Sequence, residues 1–430
     1  MSEWHTISLR EANVSLIDCE HRTPAKAASG VPYIAIPQIK NGRIDITDAR
    51  RITQEHFMEW TRKAAPQPYD VVLSRRCNPG ETAFVPPGLD FALGQNLVLL
   101  RADGTKIYPP FLRWLVRGTD WWEQIGKFIN VGAVFDSLKC ADIPRFRLLI
   151  PPLSEQRVIS HILGALDDKI ELNQRINETL EAIARAIFKS WFLDFDPVRA
   201  KSEGRQPFGM NTATASLFPD SFEDSALGKI PKGWKAARLE EIAENPRRGV
   251  HPKKAPDETP YIGLEHMPRK SIVLASWGHS GEVASNKFEF RQGEILFGKL
   301  RPYFHKVGVA PLDGVCSTDI LVITARSEEW YGILLGHASS EEFVAYTDAA
   351  STGTKMPRTN WQDMARYEIA LPDSRLASTF SSVARDLVER IRQNILEFHI
   401  LSAIRDALLP KLISGEIRVR SSHPAEMATS

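Results

Sequence analysis

A ladder of residues spaced seven apart occurs twice in this 430-residue chain. The first copy runs Ile159, Leu166, Asn173, Leu180, Ile187, and the second runs Phe380, Leu387, Asn394, Leu401, Leu408. Each rung lies 221 positions before its counterpart, and the middle rung of both is asparagine. A companion column repeats as well, Ile162, Ile170 and Ile183 answering to Val383, Ile391 and Ile404. Apolar residues at a strict period of seven make the seam of a coiled coil rather than a general amphipathic face. The spacing therefore predicts two long, matched helices, each able to pack on the other. A polar residue in such a seam costs stability and usually fixes register or partner choice, so one device is used twice.

The duplication extends upstream of the helices. "WHTISLREA" at Trp4 matches "WKAARLEEI" at Trp234, and "PYIAI" at Pro32 matches "PYIGL" at Pro260. "DVVLSRR" at Asp70 answers "EILFGKL" at Glu294, and "LGQNLVLLRA" at Leu93 answers "CSTDILVITA" at Cys316. "VGAVFDSLKCADI" (Val131–Ile143) answers "TGTKMPRTNWQDM" (Thr352–Met364). The chain thus reads as globular unit, helix, globular unit, helix. β-rich runs bounded by Gly, Pro, Asn or Asp ("VPYIAI", "YDVVLS", "NLVLLR", "FRLLI", "GEILFG", "KVGVA", "DILVITA") make each unit a mixed α/β (α+β) fold of short strands. Helical stretches are expected around Pro110–Arg117 and Glu328–Ala338. The expected domains are 1–152, a helix over 153–195, an extended connector over 196–232, 233–372, a helix over 373–420, and a flexible tail over 421–430. The connector is rich in Pro, Gly and Ser with sparse apolar anchors, which predicts no core of its own.

The chemistry of catalysis is missing from the motifs. Gly293 to Lys299 has the spacing of a phosphate loop, Gly-x4-Gly-Lys, but Leu300 stands where a Mg²⁺-binding hydroxyl is needed and "EILF" reads as a strand. There is no His-Glu-x-x-His, Gly-x-Ser-x-Gly or Gly-x-Gly-x-x-Gly. The Asp167-Asp168-Lys169 triplet falls inside the first helix and reads as a solvated face. Cys19, Cys77, Cys140 and Cys316 form no Cys-x-x-Cys pair, so neither a disulfide framework nor a structural metal site is expected. No apolar run suits a membrane span or signal segment, and the chain reads as soluble and intracellular. The formal net charge of +1 means that any nucleic-acid surface must be built from clusters of basic residues rather than an excess of them.

"IPPLSEQRVISHILGALDDKIELNQRINETLEAIARAIFKSWFLDFDPVRAKSEGR" (Ile150–Arg205) resembles the central conserved region of specificity (S) subunits of type I restriction–modification systems. "ALLPKLISGEIRV" (Ala407–Val419) is similar to the distal counterpart, and "LGKIPKGW" (Leu227–Trp234) to the entry of a second target-recognition domain. The distal "LPDSRLAS" (Leu371–Ser378) departs from "PPLSEQ", which tells against strict equivalence of the two helix entries. The resemblance implies two similar target-recognition domains on two long antiparallel coiled-coil helices, related by a pseudo-two-fold axis. Each domain would read one half of an asymmetric, bipartite site on double-stranded DNA. The helices would set the spacer and dock two methyltransferase subunits, with motor/endonuclease subunits joining the complex. The partners would use S-adenosylmethionine, ATP and Mg²⁺, and this chain would hold no cofactor and no catalytic residue. The setting would be the cytoplasm of a bacterium or archaeon.

On that reading the loops after equivalent strands of the repeat line the DNA. Candidates are Lys40, Arg43, Arg75, Arg76 and Asn78 in the first unit. In the second they are Arg247, Arg248, Lys299, Arg301, Tyr303, Lys306, Lys355 and Arg358. They combine phosphate-pairing cations with hydrogen-bonding groups. If the ladders pair antiparallel and end to end, Asn173 and Asn394 lie within one helical turn of each other.

Overall fold

The computed structural model describes residues 3–132, 134–251, 256–351, 353 and 356–419. Lys355 and the tail 421–430 lie outside them. The chain divides into two compact units, one made of residues 1–169 with 401–430, the other of residues 170–400.

Both units repeat one plan. In the first, an antiparallel sheet takes the order Val14–Asp18, Leu97–Ala102, Val71–Ser74, Thr82–Phe84. The second has the matching order Ala243–Glu244, Ile320–Ala325, Ile295–Gly298, Val307–Val309. A parallel pair recurs, Val31–Ile34 beside Ala92–Leu93 and Pro260–Ile262 beside Gly314–Cys316. The strand leading into each long helix also finds its partner at the start of its unit, Arg147–Ile150 with His5–Ser8 and Glu368–Leu371 with Lys235–Arg238. The central strands are unbroken Val, Ile and Leu runs because both faces are covered, as the full burial of Val71–Ser74 and Ile295–Gly298 shows.

The long helices span Leu153–Phe188 and Ser374–Ser414, starting 221 residues apart. Their entries are equivalent in position but differ in chemistry. Gln156 is fully buried, accepting from Tyr108 N and donating to the Lys106 and Pro151 carbonyls. Alanine, Ala377, replaces it in the second helix, where Ser381 accepts from Gly332 N and donates to Glu329 O. The first helix closes in a π-helical turn, Lys189–Leu193, ended by Phe195 in the left-handed region (φ 55°). Within the first unit, Ile159 and Leu163 share a core with Leu409, Leu412 and Ile413. Within the second, Phe188 and Phe192 pack on Phe380. In each unit the two helical segments therefore run antiparallel.

The ladder is the flank of the seam rather than its centre. Of its ten rungs only Ile159, Asn173, Phe380 and Asn394 are fully buried, and Ile183 and Ile404 of the companion column are exposed. The buried column on the first helix is Gln156, Ser160, Leu163, Asp167, Ile170, Asn177, Glu181, Phe188, spaced three, four or seven apart in coiled-coil fashion. Five of those eight are polar, so hydrophobicity alone marked the line beside them. Asn394 Nδ2 donates to Asn177 Oδ1 (2.8 Å) and Asn173 Nδ2 to Glu397 Oε2 (2.8 Å). The two ladder asparagines thus sit three to four residues out of level, about 5 Å at ~1.5 Å of rise per residue. That is the full turn allowed, and each bonds a neighbour of the other.

Two further expectations change. The stretch read as an extended connector is folded into helices Asp196–Ser202 and Thr212–Ser216 and a hairpin of Phe222–Ser225 with Gly228–Pro231. Its few apolar residues suffice because Val198, Phe218 and Ile230 join the main core of the second unit rather than forming their own. Asp167 is not on a solvated face. It is 4% exposed and lies among Arg405, Arg43 and Arg113, since a buried carboxylate persists only where cations meet it.

Candidate nucleic-acid interface

The loop following the central strand is built alike in both units. In the first, Arg75 N donates to Asn96 O, Leu138 N to Arg75 O, and Arg76 forms a bridge with Ser137. In the second, Lys299 N donates to Asp319 O, Thr359 N to Lys299 O, and Leu300 bridges Arg358. One backbone frame thus presents two different sets of side chains.

In the second unit this frame borders a cleft of about 530 Å³ lined by Asn245, Arg247, Lys299, Thr318, Thr359 and Gln362, with Phe288 and Trp361 as its aromatic members. Asn245 Nδ2 donates to Val322 O (2.6 Å), while its Oδ1 and the Thr359 Oγ1 are buried without a partner. Arg247 is exposed, held at φ 46°, with its guanidinium 6.0 Å from the Phe288 ring centre. The other predicted residues are engaged elsewhere. Arg248 is paired with Glu294, and Lys306 donates to Leu264 O with its ammonium pushed below its ordinary range by burial and then by Arg269. Arg358 Nε lies 3.3 Å from Asp319 Oδ1. Arg301 (φ 51°) starts the turn Pro302–Phe304, whose tip carries the half-exposed Tyr303 against Phe304.

In the first unit Arg75 turns inward. Its side chain is 11% exposed, 3.8 Å from Asp18 Oδ1, with Nη1 donating to Leu138 O (3.4 Å) and Nε unpartnered. Arg76 and Asn78 are exposed, and the Arg76 guanidinium lies 5.5 Å from the Phe135 ring. Lys40 donates to Asp45 (2.7 Å), which together with Thr47 holds the Asp45 carboxyl down to about 2. Arg43 donates to the Asp167 carbonyl (3.1 Å). Asp18, Cys19 and His21 bring donor atoms within 4.8 Å of one another, although Arg75 beside Asp18 opposes a cation there. All four cysteines are free thiols.

The type I restriction modification DNA specificity domain matches residues 2–182. The MjaIX specificity subunit of Methanocaldococcus jannaschii is 27% identical over 86% of this chain and 82% of its own length. The HindI specificity subunit of Haemophilus influenzae is 24% identical over 97% of this chain and all of its own. Over most of its length the chain is thus similar to specificity subunits of type I restriction–modification systems. A solved S subunit from M. genitalium, 14% identical, shares the fold with a TM-score of 0.56 over 96% of both chains. As in that specificity subunit, helix and sheet combine with two long helices. Among the described residues no helix is long and apolar enough to cross a membrane. The sequence had singled out Arg247 and Lys299 but missed Asn245, Thr318, Thr359 and Gln362. The last two lie in "TNWQ", inside a segment whose repeat had been recognised.

Proposed function

We propose that this chain is the DNA-recognition subunit of a type I restriction–modification complex, with each globular domain reading one half of an asymmetric bipartite site. The observation that carries this reading is the shared hydrogen-bonded frame at Arg75 and Lys299 bearing unlike side chains. A duplicated frame suits the approximate two-fold symmetry of duplex DNA, and unlike side chains suit unlike half-sites. The long helices set the unspecified spacer and dock two methyltransferase subunits, through which the motor/endonuclease subunits join. S-adenosylmethionine, ATP and Mg²⁺ act on those partners, methylation follows flipping of the adenine, and this chain contributes no catalytic group. The complex works in the cytoplasm.

The test is to assemble the chain with its methyltransferase partner, measure duplex binding against salt, and sequence the modified adenines. The expected result is a steep fall of affinity with salt, from displaced counterions, and a split, non-palindromic motif. Salt-independent or absent duplex binding by the assembled complex would favour a protein scaffold and refute the proposal.

A further inference from the structure

We infer that Lys299, Arg247 and Gln362 are the side chains that choose bases in the half-site read by the second domain. This rests on the DNA-reading assignment above and names the residues that execute it.

The inference starts from the availability of each group. A side chain committed to the fold cannot also read a base without losing its internal partner, and that separates Arg248, Lys306 and Arg358 from the rest. Among the described residues the Lys299 ammonium and the Gln362 amide make no hydrogen bond or ion pair, and Arg247 has only its approach to Phe288. All three border the same cleft, so they can act on one stretch of duplex. The cleft floor adds a second, independent feature. Asn245 Oδ1 and Thr359 Oγ1 are shielded from solvent and lack protein partners, an unfavourable state that a bound polar edge or bridging water relieves. The floor is polar and the rim cationic. This suits the major-groove edge of a purine, where Lys or Arg meets guanine O6 and N7 and Gln meets adenine N6 and N7.

The first domain does not repeat this arrangement. Arg75, which aligns with Lys299, is folded onto Leu138 O and toward Asp18. Leu138 and Ala141 stand where the second domain has Thr359 and Gln362. The cleft residues therefore govern one half-site only.

The test uses the full chain assembled with its methyltransferase partner on a plasmid library in which both half-sites are randomised. Methylated adenines are sequenced for the wild type, Lys299→Ala, Gln362→Ala and, as a control outside the cleft, Arg326→Ala. The expected result is relaxed base preference at one or a few positions of one half-site, by about fivefold to a hundredfold, for the first two variants. The other half-site and the spacer stay unchanged, and Arg326→Ala reproduces the wild-type motif. Thermal melts establish that the variants fold: the Lys299 and Gln362 side chains are free of internal partners among the described residues, whereas Arg326→Ala gives up a bond to Glu240 O and an ion pair with Glu244. A uniform loss of affinity on all sequences, with a shallower salt dependence and an unchanged motif, would make these groups phosphate contacts and overturn the inference. Unchanged selectivity in both half-sites would overturn it equally. A wild-type complex lacking any sequence-specific methylation would instead refute the DNA-reading assignment itself, so the two failures are told apart.

Discussion

Removing the Asp167 carboxylate is expected to cost the first unit more than the loss of any single core methyl group. Its Oδ1 accepts from Arg405 Nη1 at 2.8 Å, and Arg43 and Arg113 hold guanidinium nitrogens 3.9 and 4.0 Å from Oδ2. The Asp167 side chain is 6% exposed and those of Arg405 and Arg113 are each 16%. Burial holds the Arg113 and Arg117 guanidiniums below their ordinary range. Asp167→Ala leaves them facing one another without the acid. Removing one partner of a buried ion pair costs about 3–5 kcal/mol. For a unit of this size each kcal/mol lowers Tm by about 2–4 °C, giving a fall of roughly 6–20 °C. Differential scanning calorimetry of the full chain reads this in the transition of the first unit. Replacing acid and strongest partner together, Asp167→Leu with Arg405→Leu, should recover part of the loss, because one buried cation leaves with the acid. A Tm within about 1 °C of wild type for Asp167→Ala would refute the view that this cluster is held together by its single buried acid.

His337 is buried with both ring nitrogens unpartnered, and burial pushes its imidazole down to about 3. The unfolded chain therefore takes up a proton below about pH 6.5 that the folded chain refuses, and stability falls as pH drops from there toward 3. At pH 5 this amounts to about 2 kcal/mol at ~1.36 kcal/mol per unit. His337→Leu should flatten that part of the urea-unfolding profile, and an unchanged slope would count against it. Gly336→Ala places a Cβ 2.1 Å from Phe188 Cδ2 in the core of the second unit. It should lower stability by about 1–3 kcal/mol in denaturant titration, as overpacking does. Inserting one turn, four residues, after Leu180 adds roughly 6 Å to the first helix. Methylation sequencing should then show the same half-site bases with a spacer longer by on the order of two base pairs, at ~3.4 Å each. An unchanged spacer at full activity would show that helix length is not the ruler.

The parts of this fold that the sequence revealed are those written in hydrophobicity and repetition. Runs such as "DVVLSRR" and "EILFGKL" announce paired central strands, because strands covered on both faces need unbroken apolar side chains. The helix seam was half legible. Asn173 and Asn394 stand out among apolar rungs, but Gln156, Ser160, Asp167, Asn177 and Glu181 look like solvated positions until their partners are known. Glu181, for example, accepts from Ser271 Oγ and Ile272 N, ninety residues along the chain. The same distance problem governs the interface. Arg247 and Arg248 are indistinguishable as neighbours in sequence, and only Glu294, 46 residues from Arg248, separates a committed cation from an available one. The folded stretch 196–232 was missed because its apolar residues are too few for a separate core yet enough to join another.

The first unit is closed by residues from the far end of the chain. Leu409, Leu412 and Ile413 share the core that holds Leu9, Trp114 and Ile159, and Gly118 leaves room for Ile413, whose Cγ2 would lie 2.6 Å from an added Cβ. During translation, the domain that emerges first is thus the last to be completed. For the time the ribosome needs to add more than two hundred further residues, its apolar rim stays open, while the second unit has its whole sequence available sooner. A ribosome that stalls, or a frameshift before Leu409, releases a chain whose opening domain carries an unsealed hydrophobic edge, the kind of surface that chaperones and proteases engage. A truncated subunit is marked for removal by its beginning, although the error lies at its end.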